Sequence, residues 1–166
     1  MESIGRIYVD SNVFIALIEG SDELSDALSD LMLSAGDAAA RFVTSELTLA
    51  EVLVAPLRNG QDHLVDLYDL WTSSSDHVQV EAIGRSVLLN AALLRAQHSH
   101  LKLPDAIHIS TAIGTGCTHI LTGDQRLRER YELTGTRLGI AHGPAGVDIL
   151  RPDIETLNFL AAAFAP

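Results

Sequence analysis

The chain has 166 residues, of which 47% are hydrophobic and 20% are charged, a balance typical of a globular protein and not of a disordered segment. We therefore expect a single domain that covers residues 1–166. The apolar stretches are too short, or too often interrupted by polar residues, to cross a bilayer, and the residues after Met1 lack the pattern of a signal peptide. We expect a cytoplasmic protein without a membrane span.

The net charge of −11 is unevenly distributed along the chain. Residues 1–82 hold three basic and fifteen acidic residues, a net charge of −12, while residues 83–166 hold eight basic and seven acidic residues, a net charge of +1. Such a protein should bind a polyanion only where metal ions or a local basic patch offset the repulsion. The single cysteine, Cys117, cannot form an internal disulfide, which fits a reducing compartment.

Apolar spacing and cap residues predict strands alternating with helices in the first half of the chain. The predicted elements are a strand over Arg6–Asp10, helices over Val13–Ile18 and Asp22–Ser34, a strand over Arg41–Thr44, a helix from an N-cap at Ser45 to a stop at Asn59 and Gly60, a helix over Gln61–Thr72 and a strand over Val78–Val80.

The second half continues the alternation. Its predicted elements are helices over Arg85–His98 and Asp105–Thr115, a strand over Thr118–Thr122, a short helix after Asp124, a glycine-rich loop over Thr134–Gly146, a strand over Val147–Leu150 and a helix after Pro152. This order predicts an α/β fold, a three-layer α/β/α sandwich with a mainly parallel central sheet. In such sheets, ligand sites lie at the carboxyl ends of the strands.

Two aspartates follow predicted strands. Asp10 ends the first strand and Asp124 follows the strand Thr118–Thr122, so both should project from the same edge of a parallel sheet. Each could instead only cap the helix that follows it, which is a common duty of aspartate. Their shared place in the fold favours a joint site.

Two further acids lie where carboxylates are unexpected. Glu51 is surrounded at helical spacing by apolar residues, and a buried carboxylate without a partner is costly, so we expect a metal ion or a cation beside it. Asp105 lies in the first turn of an apolar helix, where the helix dipole stabilises it. Capping alone would explain Asp105, but clustered acids repel one another unless a cation lies between them.

Oxygen ligands without cysteine or paired histidine favour Mg²⁺, with Mn²⁺ as the alternative, over Zn²⁺. A carboxylate-bound Mg²⁺ lowers the pKa of a bound water and stabilises charge on a phosphate, which is the chemistry of phosphodiester hydrolysis with water as nucleophile. The histidines lack metal-ligand spacing, and we interpret these as surface or core residues: His98, His100, His108, His119 and His142.

Three segments, in their order and spacing, carry a resemblance to a known family. They are IYVDSNVFIAL, TSELTLAEVLVAPLRNG and LKLPDAIHISTAIGTGCTHILTGD. The chain resembles the PIN domain family, and particularly its VapC-like branch of toxins from bacterial toxin–antitoxin pairs. The glycine-rich stretch Thr134–Gly146 is longer than that family's pattern suggests.

The resemblance implies a metal site formed by four acids, which here are Asp10, Glu51, Asp105 and Asp124. It implies divalent-metal-dependent cleavage of RNA, a homodimer, and neutralisation by an antitoxin encoded alongside. It also implies polar residues that orient the acids or a water molecule, which here are Asn12 and Thr122.

Three arginines form a basic run directly after Asp124. Arg126, Arg128 and Arg130 could bind RNA phosphates near the metal. Alternate residues on a helix do not share one face, so a solvated surface explains the run equally well.

Two other functions stay open at this point. A receiver domain would accept a phosphoryl group on its acids, but it needs a lysine after a late strand, and Lys102 precedes a helix. A non-catalytic binding module with the same fold would use the acids only to bind a structural ion or an arginine-rich partner.

Overall fold

The computed structural model describes residues 4–34, 41–137 and 140–164, and within them the chain forms one six-stranded sheet. The strands are β1 (Arg6–Val9), β2 (Phe42–Ser45), β3 (Val78–Glu81), β4 (Cys117–Leu121), β5 (Arg130–Arg137) and β6 (Ile140–Leu150). The helices are α1 (Ser11–Glu19), α2 (Glu23–Ser34), α3 (Glu46–Val52), α4 (Val54–Asn59), α5 (Asp62–Trp71), α6 (Arg85–Gln97), α7 (Leu103–Gly114) and α8 (Ile154–Phe164).

The strands lie in the order β3-β2-β1-β4-β6-β5, and all neighbours are parallel except β5 and β6. The register of the central pair places Val9 opposite Leu121. The next residues along the two strands, Asp10 and Thr122, therefore emerge side by side at the carboxyl edge of the sheet.

Successive side chains of each strand point to opposite faces of the sheet. Both faces carry apolar side chains, and helices cover both. In β1, Ile7 and Val9 pack into the apolar core that contains residues of α1, α2 and α8. Tyr8 packs into the second core, which contains residues of α6 and α7. The three-layer α/β/α sandwich with a mainly parallel sheet is confirmed, and no helix among the described residues is long and apolar enough to span a membrane.

The predicted helix from Ser45 to Asn59 is present but divided. α3 ends at Val52 and α4 begins at Val54. The cause is Pro56, which has no backbone N–H to donate to the carbonyl four residues earlier, that of Val52. Gly60 ends α4 as predicted, with a left-handed φ of 64°.

The predicted loop over Thr134–Gly146 is wrong for the residues that the structure describes there. β5 and β6 form an antiparallel ribbon, in which Leu133 pairs with Ala145 and Gly135 with His142. Thr134 is thus opposite two residues, Gly143 and Pro144, which is the geometry of a β-bulge. Glycine and proline are tolerated at such a bulge, so their presence did not exclude a strand.

The short helix predicted after Asp124 is also wrong. Residues 125–129 form a turn and two bends without a helix, and β5 begins at Arg130. The arginines in this segment are therefore not arranged on a helix face.

Two glycines of similar exposure but different backbone geometry provide a test of the fold. Gly60→Ala should lower the free energy of unfolding by about 1 kcal/mol, because an alanine Cβ is strained at φ 64°. Gly114→Ala, within the last turn of α7 and with nothing within 4 Å of the new Cβ, should raise it by about 0.5–1 kcal/mol. Urea unfolding measures both, and an equal effect of the two changes would contradict the assigned C-cap at Gly60.

Candidate metal centre

A cleft of about 540 Å³ opens at the carboxyl edge of the sheet. All four acids predicted from the sequence line this cleft: Asp10, Glu51, Asp105 and Asp124. Asn12, Arg126 and His108 line it too. Strand ends and helix starts more than 100 residues apart in the chain therefore meet at one place.

Asp10 is buried and closely held. Its Oδ1 accepts a hydrogen bond from the backbone N–H of Ser11 at 2.7 Å, so it caps α1 as the simpler interpretation expected. Its Oδ2 accepts from Asn12 Nδ2 at 2.5 Å and from Thr122 Oγ1 at 2.6 Å. The carboxylate of Asp10 therefore both caps α1 and lines the cleft.

Asn12 and Thr122 link Asp10 to the loop after β4. Thr122 Oγ1 donates to Asp10 and accepts from the backbone N–H of Asp124 at 3.1 Å. Asn12 Oδ1 accepts from the backbone N–H of Gly123 at 2.7 Å. These contacts fix the direction in which the chain leaves β4, and with it the position of Asp124.

Glu51 does have a partner, which is His108. Its Oε2 lies 2.9 Å from His108 Nε2, and the same nitrogen lies 3.5 Å from Asp10 Oδ1. Burial alone would raise the pKa of Glu51, but the hydrogen bond and charge of His108, together with the Ser11 hydroxyl, hold that pKa below its usual value. The carboxylate is therefore ionised at neutral pH.

The other ring nitrogen of His108 faces the core of the protein. Nδ1 lies 2.7 Å from the hydroxyl of Tyr8, which in turn lies 2.8 Å from Ser45 Oγ. An ionised carboxylate can only accept, so Nε2 carries the proton that is donated to Glu51. The Ser45 hydroxyl accordingly contacts Tyr8 and does not cap α3, although its residue occupies the N-cap position.

Asp105 and Asp124 complete the lining. Asp105 lies in the first turn of α7 and accepts a hydrogen bond from the backbone N–H of Lys102 at 3.2 Å. The carboxylate of Asp124 is bound by the guanidinium of Arg126, whose Nε lies 2.9 Å from Oδ1 and 3.1 Å from Oδ2. These bonds to Arg126 lower the pKa of Asp124 to about 2.

The chemistry of the donor atoms fits a small divalent cation. Ligand atoms of Asp10, Glu51 and His108 lie within 4.8 Å of one another, and the shortest separations are 2.9 and 3.5 Å. Two oxygens bound at about 2.1 Å to one Mg²⁺ lie roughly 3–4 Å apart, and the oxygens of Asp10 and Glu51 lie within 4.8 Å of each other. The N–H of His108 Nε2 donates to Glu51, in the manner of groups that orient metal ligands.

His108 is the residue that the sequence analysis missed. We interpreted it as a surface or core histidine, and it is indeed buried, at 5% exposure, but it faces the cleft. The signal was its position three residues after Asp105, because residues three apart lie on neighbouring positions of a helix surface. Metal-ligand spacing between histidines did not reveal it, since its partners are carboxylates on other elements.

The three arginines after Asp124 have different partners. Arg126 binds Asp124, and Arg130 binds Glu132 at 2.9 Å and Asp148 at 2.8 Å. Among the residues that the structure describes, Arg128 makes no ion pair. Its guanidinium is exposed, whereas the guanidinium groups of Arg126 and Arg130 are already bound to carboxylates.

The sequence matches one family. A sequence model of the PIN domain matches residues 7–133. No curated protein matches the chain in sequence. Among solved structures, the chain is similar to a toxin–antitoxin complex from Klebsiella pneumoniae, with 21% identity, a TM-score of 0.54, and coverage of 72% of this chain and 88% of the other.

Two further solved structures are similar to the chain. One is VapC20 of Mycobacterium tuberculosis, a sarcin–ricin loop cleaving toxin, with 19% identity, a TM-score of 0.56, and coverage of 69% of this chain and 86% of the other. The other is VapBC2 from Rickettsia felis bound to a DNA fragment from its promoter, with 15% identity, a TM-score of 0.55, and coverage of 72% and 89%. At these identities, the likeness establishes the fold alone.

The Tyr8 hydroxyl offers a first test of this arrangement. Tyr8→Phe removes the partner of the Ser45 hydroxyl and of His108 Nδ1, both in the core, and should lower the free energy of unfolding by about 1–3 kcal/mol. Tyr68→Phe is the matched control, because that hydroxyl donates to Glu19, an exposed carboxylate that water can solvate. Urea unfolding should show the larger loss for Tyr8→Phe, and equal losses would argue against a buried Ser45–Tyr8–His108 chain.

The ion pair of Asp124 offers a second test. Arg126→Gln should raise the pKa of Asp124 from about 2 toward the ordinary value near 3.9, as measured by NMR titration of the side-chain carboxyl carbon. A lowered pKa in the folded state means that the pair stabilises the fold above pH ~4 and loses that contribution as the pH falls toward 2. An unchanged pKa in the variant would show that Arg126 does not bind this carboxylate in solution.

Proposed function

The chain belongs to the PIN domain family, and on that premise we propose that it is a divalent-metal-dependent endoribonuclease, the toxin of a toxin–antitoxin pair. The observation that carries the proposal is the meeting of Asp10, Glu51, Asp105 and Asp124 in one cleft. Carboxylates at the ends of separate elements repel one another, so a fold that gathers them serves a cation.

The metal in this proposal is Mg²⁺, with Mn²⁺ as the alternative. Asp10 and Glu51 would hold it together with Asp105 and Asp124, which line the same cleft. When bound, such an ion supplies a water of lowered pKa and stabilises charge on the phosphate. The carboxylate oxygens support this choice, because hard cations prefer oxygen ligands.

The residues of the chain itself have distinct roles in this proposal. Asn12 and Thr122 donate to Oδ2 of Asp10 and hold that carboxylate in one orientation. His108 donates to Glu51 and holds it near Asp10. Groups that orient metal ligands in this way fix the site before substrate arrives, which reduces the reorganisation that the reaction requires.

The substrate in this proposal is RNA. The acidic first half of the chain repels a polyanion, so the contacts must come from the second half, where basic residues slightly outnumber acids. Arg126 already lies in the cleft, and Arg128 and Arg130 follow it. Arginines beside the acids would bind the phosphates that flank the bond to be cut.

The proposed partners are an antitoxin and a second copy of the chain, and the proposed location is the cytoplasm. Exposed apolar side chains on α4 and α5 support a protein partner: Val54, Leu57, Leu67 and Leu70. That residues 1–166 form one nuclease domain is part of the same proposal. Lys102 is the N-cap of α7 and does not follow a late strand, so nothing supports the receiver domain.

Cleavage of purified total RNA and of a structured RNA, with Mg²⁺, with Mn²⁺ or with EDTA, tests the proposal. Asp105→Asn should lower cleavage by about 100-fold or more, because the amide is a poor metal ligand, while its oxygen can still accept from Lys102 N–H and preserve the helix start. Asp66→Asn, an exposed change on α5, is the matched control and should cut as the unaltered protein does.

Calorimetric titration with Mn²⁺ separates the outcomes. Weaker Mn²⁺ binding by Asp105→Asn together with lost cleavage supports the nuclease. Cleavage that persists in EDTA contradicts the metal dependence. Mn²⁺ binding by a protein that cuts no RNA under any condition would favour a non-catalytic binding module of the same fold.

A further inference from the structure

Outside the cleft, two imidazoles and a phenol pack together between the α6–α7 loop and β5. We call His98, His100 and Tyr131 the ring cluster. His98 meets Tyr131 edge to face, with ring centroids 5.3 Å apart and an interplanar angle of 88°. His98 and His100 are also edge to face, at 6.0 Å, and His100 Nε2 lies 3.0 Å from the Tyr131 hydroxyl.

The cluster presents its imidazoles to solvent and buries its phenol. Tyr131 is 1% exposed, whereas His100 is exposed and His98 is half-buried. His98 also forms a wall of a groove of about 550 Å³, together with Gln97, Arg130 and Glu132. The buried phenol therefore supports two imidazoles, of which His98 faces an open space large enough for a nucleobase.

A basic residue without a carboxylate partner lies beside the cluster. The backbone N–H of Arg128 donates to the Tyr131 hydroxyl at 3.0 Å, which ties the arginine to the rings. Burial lowers the pKa of His98, and nearby His100 and Arg128 lower it further, which favours the uncharged imidazole. Within the described residues, the guanidinium of Arg128 makes no ion pair.

The segment that contains His98 and His100 and the segment that contains Arg128 each adjoin, in sequence, an acid of the candidate metal centre. His100 lies five residues before Asp105, and Arg128 lies four residues after Asp124. Leu101 and Leu127 pack in the same apolar core, so the two segments are held together beneath the surface. A strand of nucleic acid that crossed the cleft could continue onto the cluster without a break.

From these contacts we infer that the ring cluster and Arg128 form a binding site for an unpaired nucleotide of the RNA substrate. The base stacks on the imidazole of His98, which His100 contacts edge to face, and Arg128 binds the adjoining phosphate. The inference rests on the proposed function for the identity of the nucleic acid. It adds that the substrate is bound at this place as a single strand or loop.

Unpaired RNA fits these groups better than a duplex does. Stacking on a side chain requires a base whose face is free, and bases within a duplex already stack on their neighbours. A duplex would be recognised mainly through its backbone and 2′-hydroxyls, which calls for a row of basic or polar groups and not for rings. An exposed arginine that makes no ion pair with the described residues, beside aromatic rings, matches one phosphate and one base.

Binding without cleavage tests the inference. The probe is a fluorescein-labelled single-stranded RNA of about 12 nucleotides, in EDTA to prevent cleavage, with fluorescence anisotropy as the readout. His98→Ala with His100→Ala should weaken binding about tenfold, and His98→Phe with His100→Phe should restore most of the loss, because phenylalanine also stacks on bases. The same strand annealed to its complement should bind all of these proteins equally.

Salt dependence tests the arginine. Arg128→Gln should weaken binding of the single strand and reduce the slope of log affinity against log salt by roughly one phosphate contact. The matched controls are His63→Ala and Arg58→Gln, which are exposed changes on α5 and α4 outside both cavities. Circular dichroism of each variant verifies that it folds.

The outcomes separate this inference from the proposed function. Variants of the ring cluster that bind the single strand as tightly as the unaltered protein overturn the inference, even if the protein cuts RNA. An equal loss for single strand and duplex overturns the stacking role as well. If the ring cluster binds single strands as expected but no metal supports cleavage, the binding site stands and the nuclease proposal falls.

Discussion

The parallel pairing of β1 with β4 is the constraint on which the candidate metal centre depends. It places Val9 opposite Leu121, so Asp10 and Thr122 leave the sheet as neighbours although 112 residues separate them. The backbone N–H of Asp10 donates to the carbonyl of Leu121 at 3.1 Å, which extends the pairing to the edge of the cleft. A shift by one residue would turn Asp10 to the opposite face of the sheet and separate it from Glu51.

The carboxylates of the cleft are tolerated because each has hydrogen-bond donors of its own. Asp10 accepts from Ser11, Asn12 and Thr122, and Glu51 accepts from His108. The donors lie on α1, on α7 and directly after β4, elements that pack into the two apolar cores. The repulsion among the acids is therefore offset locally.

The antiparallel ribbon of β5 and β6 extends the parallel sheet on the side of the arginines. It brings Tyr131, at the start of β5, beneath the loop that precedes α7, and it positions Arg130 between Glu132 and Asp148. Arg130 is thereby ion-paired within the ribbon, and Arg126 binds Asp124. The same geometry leaves Arg128 exposed beside the rings, so three residues of one type acquire three different environments.

The sequence by itself determined the features that neighbouring residues encode. Apolar periodicity, the stop at Gly60 and the acids at element ends predicted the α/β sandwich and the edge where Asp10 and Asp124 lie, because these signals act within one or two turns of chain. Only the tertiary structure decided that His108 holds Glu51, that residues 140–146 belong to a strand, and that His98 and His100 share Tyr131. His108 and Glu51 are 57 residues apart, and His100 and Tyr131 are 31 residues apart. These contacts and the strand pairing depend on sheet register and packing, which no local pattern specifies.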